Sequence, residues 1–170
     1  MSVPRSRAGA VVGDRPTVTT EDRAAVEGGT TVREVVGYLP GAFDMFHVGH
    51  LRIIRRAQEH CTRLVVGVVT DEVMVSSKGK APVVPLDERV EVVQAVTGVH
   101  EVVPDTSADK TVAWRKQPYD VLFKGDDWRG TPKGDRLEAD MAALGVRVVY
   151  FPYTTQTSST LLRRSLTAAL

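Results

Sequence analysis

Val35-Val36-Gly37-Tyr38-Leu39-Pro40-Gly41-Ala42-Phe43-Asp44-Met45-Phe46-His47-Val48-Gly49-His50 is the stretch on which the fold turns. A short apolar run, residues 35–39, stops at Pro40-Gly41, and then Leu51, Ile54, Ala57 and Cys61 recur at spacings of three and four. That is a strand, a glycine turn and one face of a helix. The same alternation continues outward. Residues 64–69 are apolar on both faces, as a strand buried in a parallel sheet would be. Leu86, Val90, Val93 and Val96 form a second helical stripe, and residues 99–103, 119–123 and 146–151 read as strands. Leu137, Met141 and Leu144 line a helix ended by Gly145, and Ser158 or Ser159 opens a last helix carrying Leu162, Leu166 and Ala169. Strands alternating with helices predict an α/β fold: a Rossmann-like, mostly parallel five-stranded sheet with helices on both faces.

Composition narrows the possibilities without naming an activity. The 170 residues hold one domain's worth of sequence, with 22 Lys and Arg against 21 Asp and Glu, a net charge of +1. Bulk charge therefore does not hold this chain to nucleic acid. The single cysteine, Cys61, excludes an intrachain disulfide and a Cys-rich zinc site. No apolar run approaches the ~18 residues of a membrane span. Residues 1–31 contain no Leu, Ile, Phe, Tyr or Trp and no continuous apolar leader segment. They are expected to form a flexible tail, with a short helical turn at 21–27, ahead of a single domain at 32–170. The expectation is a compact cytoplasmic protein.

In parallel α/β sheets, ligands bind beyond the carboxyl ends of the strands, and polar residues cluster at those positions here. Gly41 allows a ligand close to the backbone. His47 and His50 lie three apart at a helix start and share a face, with Gly49 leaving room between them. Free N–H groups and the positive dipole end of that helix suit a phosphate. A histidine metal pair is the other reading, but such pairs sit at i, i+4 with a third ligand, and no third ligand stands out.

The pattern Gly-x-Phe-Asp-x-x-His-x-Gly-His resembles the signature of the cytidylyltransferases, within the wider nucleotidylyltransferase superfamily. Further segments match in order. Thr70-Asp71-Glu72 resembles a Thr/Ser-Asp-Glu motif, Lys78-Gly79-Lys80 a Lys-x-Lys loop, and Glu88-Arg89 a Glu-Arg pair opening a helix. Gly125-Asp126-Asp127-Trp128 is similar to the segment typical of the glycerol-3-phosphate branch, and residues 154–160 sit where the family has Arg-Thr-x-Gly-Ile-Ser-Thr-Thr. The chain departs from that last motif: Tyr153 stands where the family has Arg, and Gln156 and Thr157 replace Gly and Ile. Ser158-Ser159-Thr160-Leu161-Leu162-Arg163 also resembles adenylyltransferases, and Pro82-Val83-Val84-Pro85-Leu86 the heptose-phosphate branch.

The resemblance implies transfer of CMP from CTP to a small phosphorylated alcohol or polyol, with Mg²⁺ arriving on the triphosphate and no metal cage in the protein. It implies catalytic roles for His47, His50, Lys78, Lys80 and Arg89. Gly41, Ala42, Phe43, Asp44, Gly49, Asp126, Tyr153, Thr154, Ser158, Ser159 and Thr160 would hold the nucleotide. Asp71, Lys78, Trp114 and Asp127 would hold the acceptor. It also implies a homodimer, with the strand at 99–103 near the interface.

Each residue has a plainer role beside this one. Asp44 either orients a partner or caps a turn. Lys78 and Lys80 are placed on a mobile loop that closes on phosphates, or on a solvated one. Arg89 at a helix start needs a partner, either phosphate or a salt bridge to Asp87 or Glu91. Of the adjacent Asp126 and Asp127, Asp126 is preferred toward the ligand. Trp114 either lines the acceptor pocket or packs in the core, and Lys110 is equally ambiguous. His60, His100 and the Arg163-Arg164 pair are assigned to the surface, and Cys61 to apolar packing. Adenylyl transfer, or a heptose-phosphate-type nucleotidyl transfer, is the alternative within the same chemistry. A catalytically silent nucleotide-binding module is the alternative outside it, motivated by Tyr153.

Overall fold

The computed structural model describes residues 33–152 and 157–168. The expected tail, with its turn at 21–27, lies outside the described residues. So do Tyr153 and Thr154.

Five strands and their connecting helices follow in the expected order: β1 (Val36–Gly41), α1 (Val48–Gln58), β2 (Arg63–Val69), α2 (Asp71–Lys78), α3 (Leu86–Gln94) and β3 (Glu101–Asp105). They continue with α4 (Lys110–Lys116), β4 (Val121–Gly125), a 3-10 turn (Asp126–Trp128), α5 (Pro132–Ala143), β5 (Arg147–Phe151) and α6 (Ser159–Ala168). All four strand pairings are parallel, in the order β3-β2-β1-β4-β5. The edge strand β3 falls two residues later than the sequence reading and carries Pro104, which an edge strand tolerates because one side of it makes no ladder bonds.

Alternation along the strands builds two cores. Leu64, Val66 and Val68 of β2 join Ile54 and Ala57 of α1 and Val93 of α3 on one face. Val65 points to the other, where Tyr38, Leu122, Leu137 and Met141 pack. Each fully buried aliphatic side chain contributes roughly 1.5–3 kcal/mol relative to exposure. The helices therefore cover both faces of the sheet, as the apolar periodicities predict.

One helix is absent from the sequence reading. Residues 71–78 form α2, although the sequence reading places Ser76, Ser77 and Lys78 on a loop with Lys80; Thr70 Oγ1 accepts from the Val73 N–H at 3.5 Å, and Asp71 and Glu72 stand in the first turn. Only Met74 is buried in it, so no apolar stripe marks it. Gly79 ends the helix at φ 68, a left-handed cap that a side chain would strain. Lys78 is thus the last residue of a helix rather than part of a mobile loop.

The sheet also prepares a crevice. β1 pairs with β2 over six residues but with β4 only at Gly37↔Val121 and Tyr38↔Leu122. Beyond those positions β1 and β4 part, at the point where strand order reverses, and the cleft opens between their carboxyl ends.

Candidate active site

β1 ends at Gly41 and the chain turns sharply into α1. Phe43 and Met45 both adopt left-handed backbone angles, φ 52 and φ 48, which cost non-glycine residues energy and persist only where the surroundings enforce them. Asp44 between them supplies that enforcement. Its buried carboxylate accepts from the N–H groups of Val83 (2.9 Å) and Val84 (3.0 Å) and pairs with Arg163 of α6 at 2.6 Å. Its carbonyl accepts from Ser159 Oγ at 2.7 Å. Burial works to raise the Asp44 pKa, but the Val84 and Val83 N–H groups and the Arg163 guanidinium together hold it below the usual carboxylate range. Asp44 is therefore a charged clamp joining the turn, the 83–84 segment and α6. Arg163, assigned to a solvated face from sequence, is its partner.

The two histidines cap α1 reciprocally. His47 Nδ1 accepts from the Gly49 N–H at 3.0 Å, and His50 Nδ1 accepts from the His47 N–H at 3.4 Å. With Nδ1 an acceptor on each, the hydrogen-bond pattern assigns the proton of each neutral ring to Nε2. The rings stack at 3.9 Å between centroids. Burial pushes the His50 pKa down to about 3, with His47 and Lys78 adding to the effect and Asp44 opposing it. Burial lowers that of His47 as well. Both imidazoles are thus neutral hydrogen-bond donors near pH 7. Ser159 Oγ, which gives its proton to Asp44, lies 3.4 Å from His47 Nε2.

Two adjoining lobes lie here, the smaller of them at these rings. One, of about 220 Å³, is lined by His47, Gly49, His50, Lys124, Asp127 and Thr157 among others. The other, of about 750 Å³, is lined by Gly41, Ala42, Met74, Ser77, Lys110 and Lys133 among others. Pro40, Lys78, Lys124, Asp127 and Trp128 belong to both. Lys124 Nζ sits 3.9 Å from the centroid of the Trp128 ring. Burial, followed by the charge of Lys110, pushes the Lys124 pKa down to about 8, against Asp127 and Asp105.

The structure thus gathers Gly41, Ala42, His47, Gly49, His50, Lys78 and Asp127 around one cleft, with Ser159 beside His47. Phe43 is buried beneath it and its ring leans on His50. Ser158 caps α6, accepting from the Leu161 N–H at 3.2 Å, and Thr160 is exposed.

Other residues depart from expectation. Arg89 does not face the cleft: its side chain is fully buried and donates to the carbonyls of Val84, Ala42 and Val69, and it pairs with Asp71 at 2.5 Å. Three backbone carbonyls and the half-exposed Asp71 carboxylate satisfy it, so neither phosphate nor the Asp87 or Glu91 pairing is needed, and Asp71 is engaged by the same contact. Trp114 packs in the second core with its indole N–H on the Tyr119 carbonyl, away from the cleft. Asp127 rather than Asp126 lines the lobes. Lys80 is exposed past Gly79 and lines neither lobe. Lys110 is buried against Asp105 at 2.5 Å. The residue that sequence reasoning missed is Lys124. Its signal was its position at the carboxyl end of β4.

A parallel α/β domain with paired neutral histidines and lysines at its switch point has the organisation of a nucleotidyltransferase. The solved lipopolysaccharide core biosynthesis protein from Thermoplasma volcanium GSS1 shares the fold, with a TM-score of 0.61 at 19% identity, over 73% of this chain and 99% of that one. Residues 38–165 match the family described as Cytidylyltransferase-like, and the chain belongs to that family. Ethanolamine-phosphate cytidylyltransferase of Arabidopsis thaliana is 40% identical over 57% of this chain, which spans only 24% of that protein. Glycerol-3-phosphate cytidylyltransferase of Bacillus spizizenii is 27% identical over 79% of this chain and 98% of its own length. FAD synthase of Pyrococcus abyssi is 32% identical over 74% of this chain and 84% of its own.

Proposed function

We propose that the chain transfers CMP from CTP to the phosphate of a small phosphorylated alcohol or polyol and releases pyrophosphate. The observation that carries this reading is the pair of Nε2–H donors on His47 and His50, fixed by their own backbone hydrogen bonds and flanked by Lys78 and Lys124. In the proposed reaction an oxygen of the acceptor phosphate attacks the α-phosphorus, and the bond from that phosphorus to the pyrophosphate oxygen breaks. A phosphomonoester is largely dianionic near pH 7, so the step needs no general base. Catalysis is then positioning and electrostatic stabilisation. Neutral imidazoles suit it: they donate to the triphosphate oxygens without titrating at working pH. Lys78 and Lys124 supply the positive charge where the lobes meet.

Mg²⁺ enters this scheme bound to the triphosphate. Among the described residues no group of three His, Cys, Asp or Glu side chains is placed to cage a cation. The ion would be held by phosphate oxygens and water, and would neutralise charge on the leaving pyrophosphate. The second reading, AMP from ATP, is supported by the 84% coverage of the FAD synthase relative.

A pyrophosphate-release screen of CTP, ATP, GTP and UTP against phosphorylated acceptors tests both readings. CTP-dependent release supports the first and ATP-dependent release the second. Absence of release with every pair contradicts nucleotidyl transfer.

A further inference from the structure

We propose that Lys124 selects the acceptor, making the larger lobe a site for phosphoesters of neutral, hydroxylated groups and barring those that carry an amine cation. The inference rests on the nucleotidyl-transfer reading above and sharpens its substrate class.

An acceptor such as phosphoethanolamine brings an ammonium that needs either a carboxylate or an open aromatic face. The aromatic face in the larger lobe is that of Trp128, and Lys124 Nζ already lies over it at 3.9 Å. The carboxylate on the lining is Asp127, the residue after next from Gly125, and its charge already acts on Lys124. The remaining charged lining is basic: Lys78, Lys133 and Lys110, and among the described residues Lys110 is the one of these with an ion pair, to Asp105. An incoming ammonium therefore meets like charge at the two places that would otherwise receive it.

A neutral polyol meets a different lobe. The Ser77 hydroxyl oxygen, whose proton goes to the Val73 carbonyl, and the Asp127 carboxylate offer acceptors to hydroxyls, and Val69, Val73 and Met74 offer an apolar wall to carbons. The lysines then serve the acceptor's phosphate alone. A volume of about 750 Å³ admits a sugar phosphate as readily as a three-carbon one. This separates two kinds of relative that overall identity does not. The ethanolamine-phosphate enzyme is the more identical over its matched segment, while the glycerol-3-phosphate enzyme is matched along its whole length.

The test compares glycerol 3-phosphate with phosphoethanolamine in pyrophosphate release with CTP, and with ATP in parallel. The wild-type chain should favour glycerol 3-phosphate in kcat/KM by about tenfold or more. Lys124→Met, which removes the charge over the indole while keeping the length of the side chain, should narrow that ratio about tenfold, and Lys124→Arg should preserve it. Equal or better use of phosphoethanolamine by the wild type overturns the proposal. So does an unchanged ratio in a Lys124→Met variant that still melts cooperatively. Should neither acceptor release pyrophosphate with either nucleotide, the full screen of nucleotides and acceptors decides nucleotidyl transfer separately. Calorimetric titration of each acceptor into the wild-type chain then decides for Lys124: about tenfold tighter binding of glycerol 3-phosphate supports it, and equal binding overturns it.

Discussion

With both Nδ1 atoms engaged by backbone N–H groups, His47 and His50 hold their remaining N–H bonds in fixed directions before any ligand arrives. The His-Val-Gly-His spacing makes the pair legible in sequence. Their neutrality is not, because it comes from burial and mutual proximity that only the fold creates. This neutrality has a consequence for stability. The folded pKa of His50, about 3, lies below its ordinary value of 6.5. Between those values the unfolded chain binds the proton that the folded one refuses, so acidification from pH 6.5 toward 3 favours unfolding. His50→Gln keeps an acceptor for the His47 N–H but does not titrate. Urea denaturation across that pH window should show wild-type stability falling more steeply than that of the variant. Parallel curves would contradict the assignment. Arg89 illustrates the opposite case, a residue whose type is legible and whose role is not. Its buried guanidinium satisfies three carbonyls from two strand ends and a loop. Arg89→Met should cost about 3 kcal/mol in urea melts, because each orphaned carbonyl carries its own desolvation cost. A loss below 1 kcal/mol would show that water replaces it.

Elements differ in how plainly sequence announces them. Strands β2 and β4 and helices α1 and α5 bury residues at their proper periods and could be read directly. Helix α2 could not, since it rests on its Thr70 and Gly79 caps and a single buried side chain, Met74. The junction between β4 and α5 is set by contact rather than by pattern. Thr131 Oγ1 donates to the Trp128 carbonyl at 2.7 Å and accepts from the Gly134 N–H at 3.1 Å. A Cβ on Gly134 would lie 2.0 Å from that same carbonyl. Backbone cannot yield as a flexible side chain can, so Gly134→Ala should displace Trp128 and with it the indole beneath Lys124. The expected result is a blue or red shift in Trp fluorescence and lower stability by about 1–3 kcal/mol. An unchanged spectrum and melt would show the contact to be slack. The α6 helix is tied to the site by Arg163 and Ser159, both reaching Asp44. They stand at i and i+4, about one helical turn apart, so a shared face was legible while its target was not.

At the scale of the whole molecule, near-zero net charge hides a local concentration of positive groups. Lys78, Lys124 and Lys133 face one cleft, opened where β1 and β4 part after two paired residues. The alternation of strands and helices made the sheet legible; the strand order and the early parting of β1 from β4 depend on contacts distant in sequence. A cleft of this kind should be filled from solution at a gain in stability. Saturation at 100 times Kd is worth about 2.7 kcal/mol, so CTP with Mg²⁺ should raise Tm by several degrees. The absence of a shift with CTP or ATP would contradict nucleotide binding in the cleft. The most direct test of nucleotidyl transfer at His47 and His50 is single-turnover pyrophosphate release from CTP and glycerol 3-phosphate, compared between the wild-type chain and His50→Ala. Release by the wild type is expected, slowed by about 10²–10³-fold in the variant while its Tm shift with CTP persists. Release by the variant at the wild-type rate would contradict it.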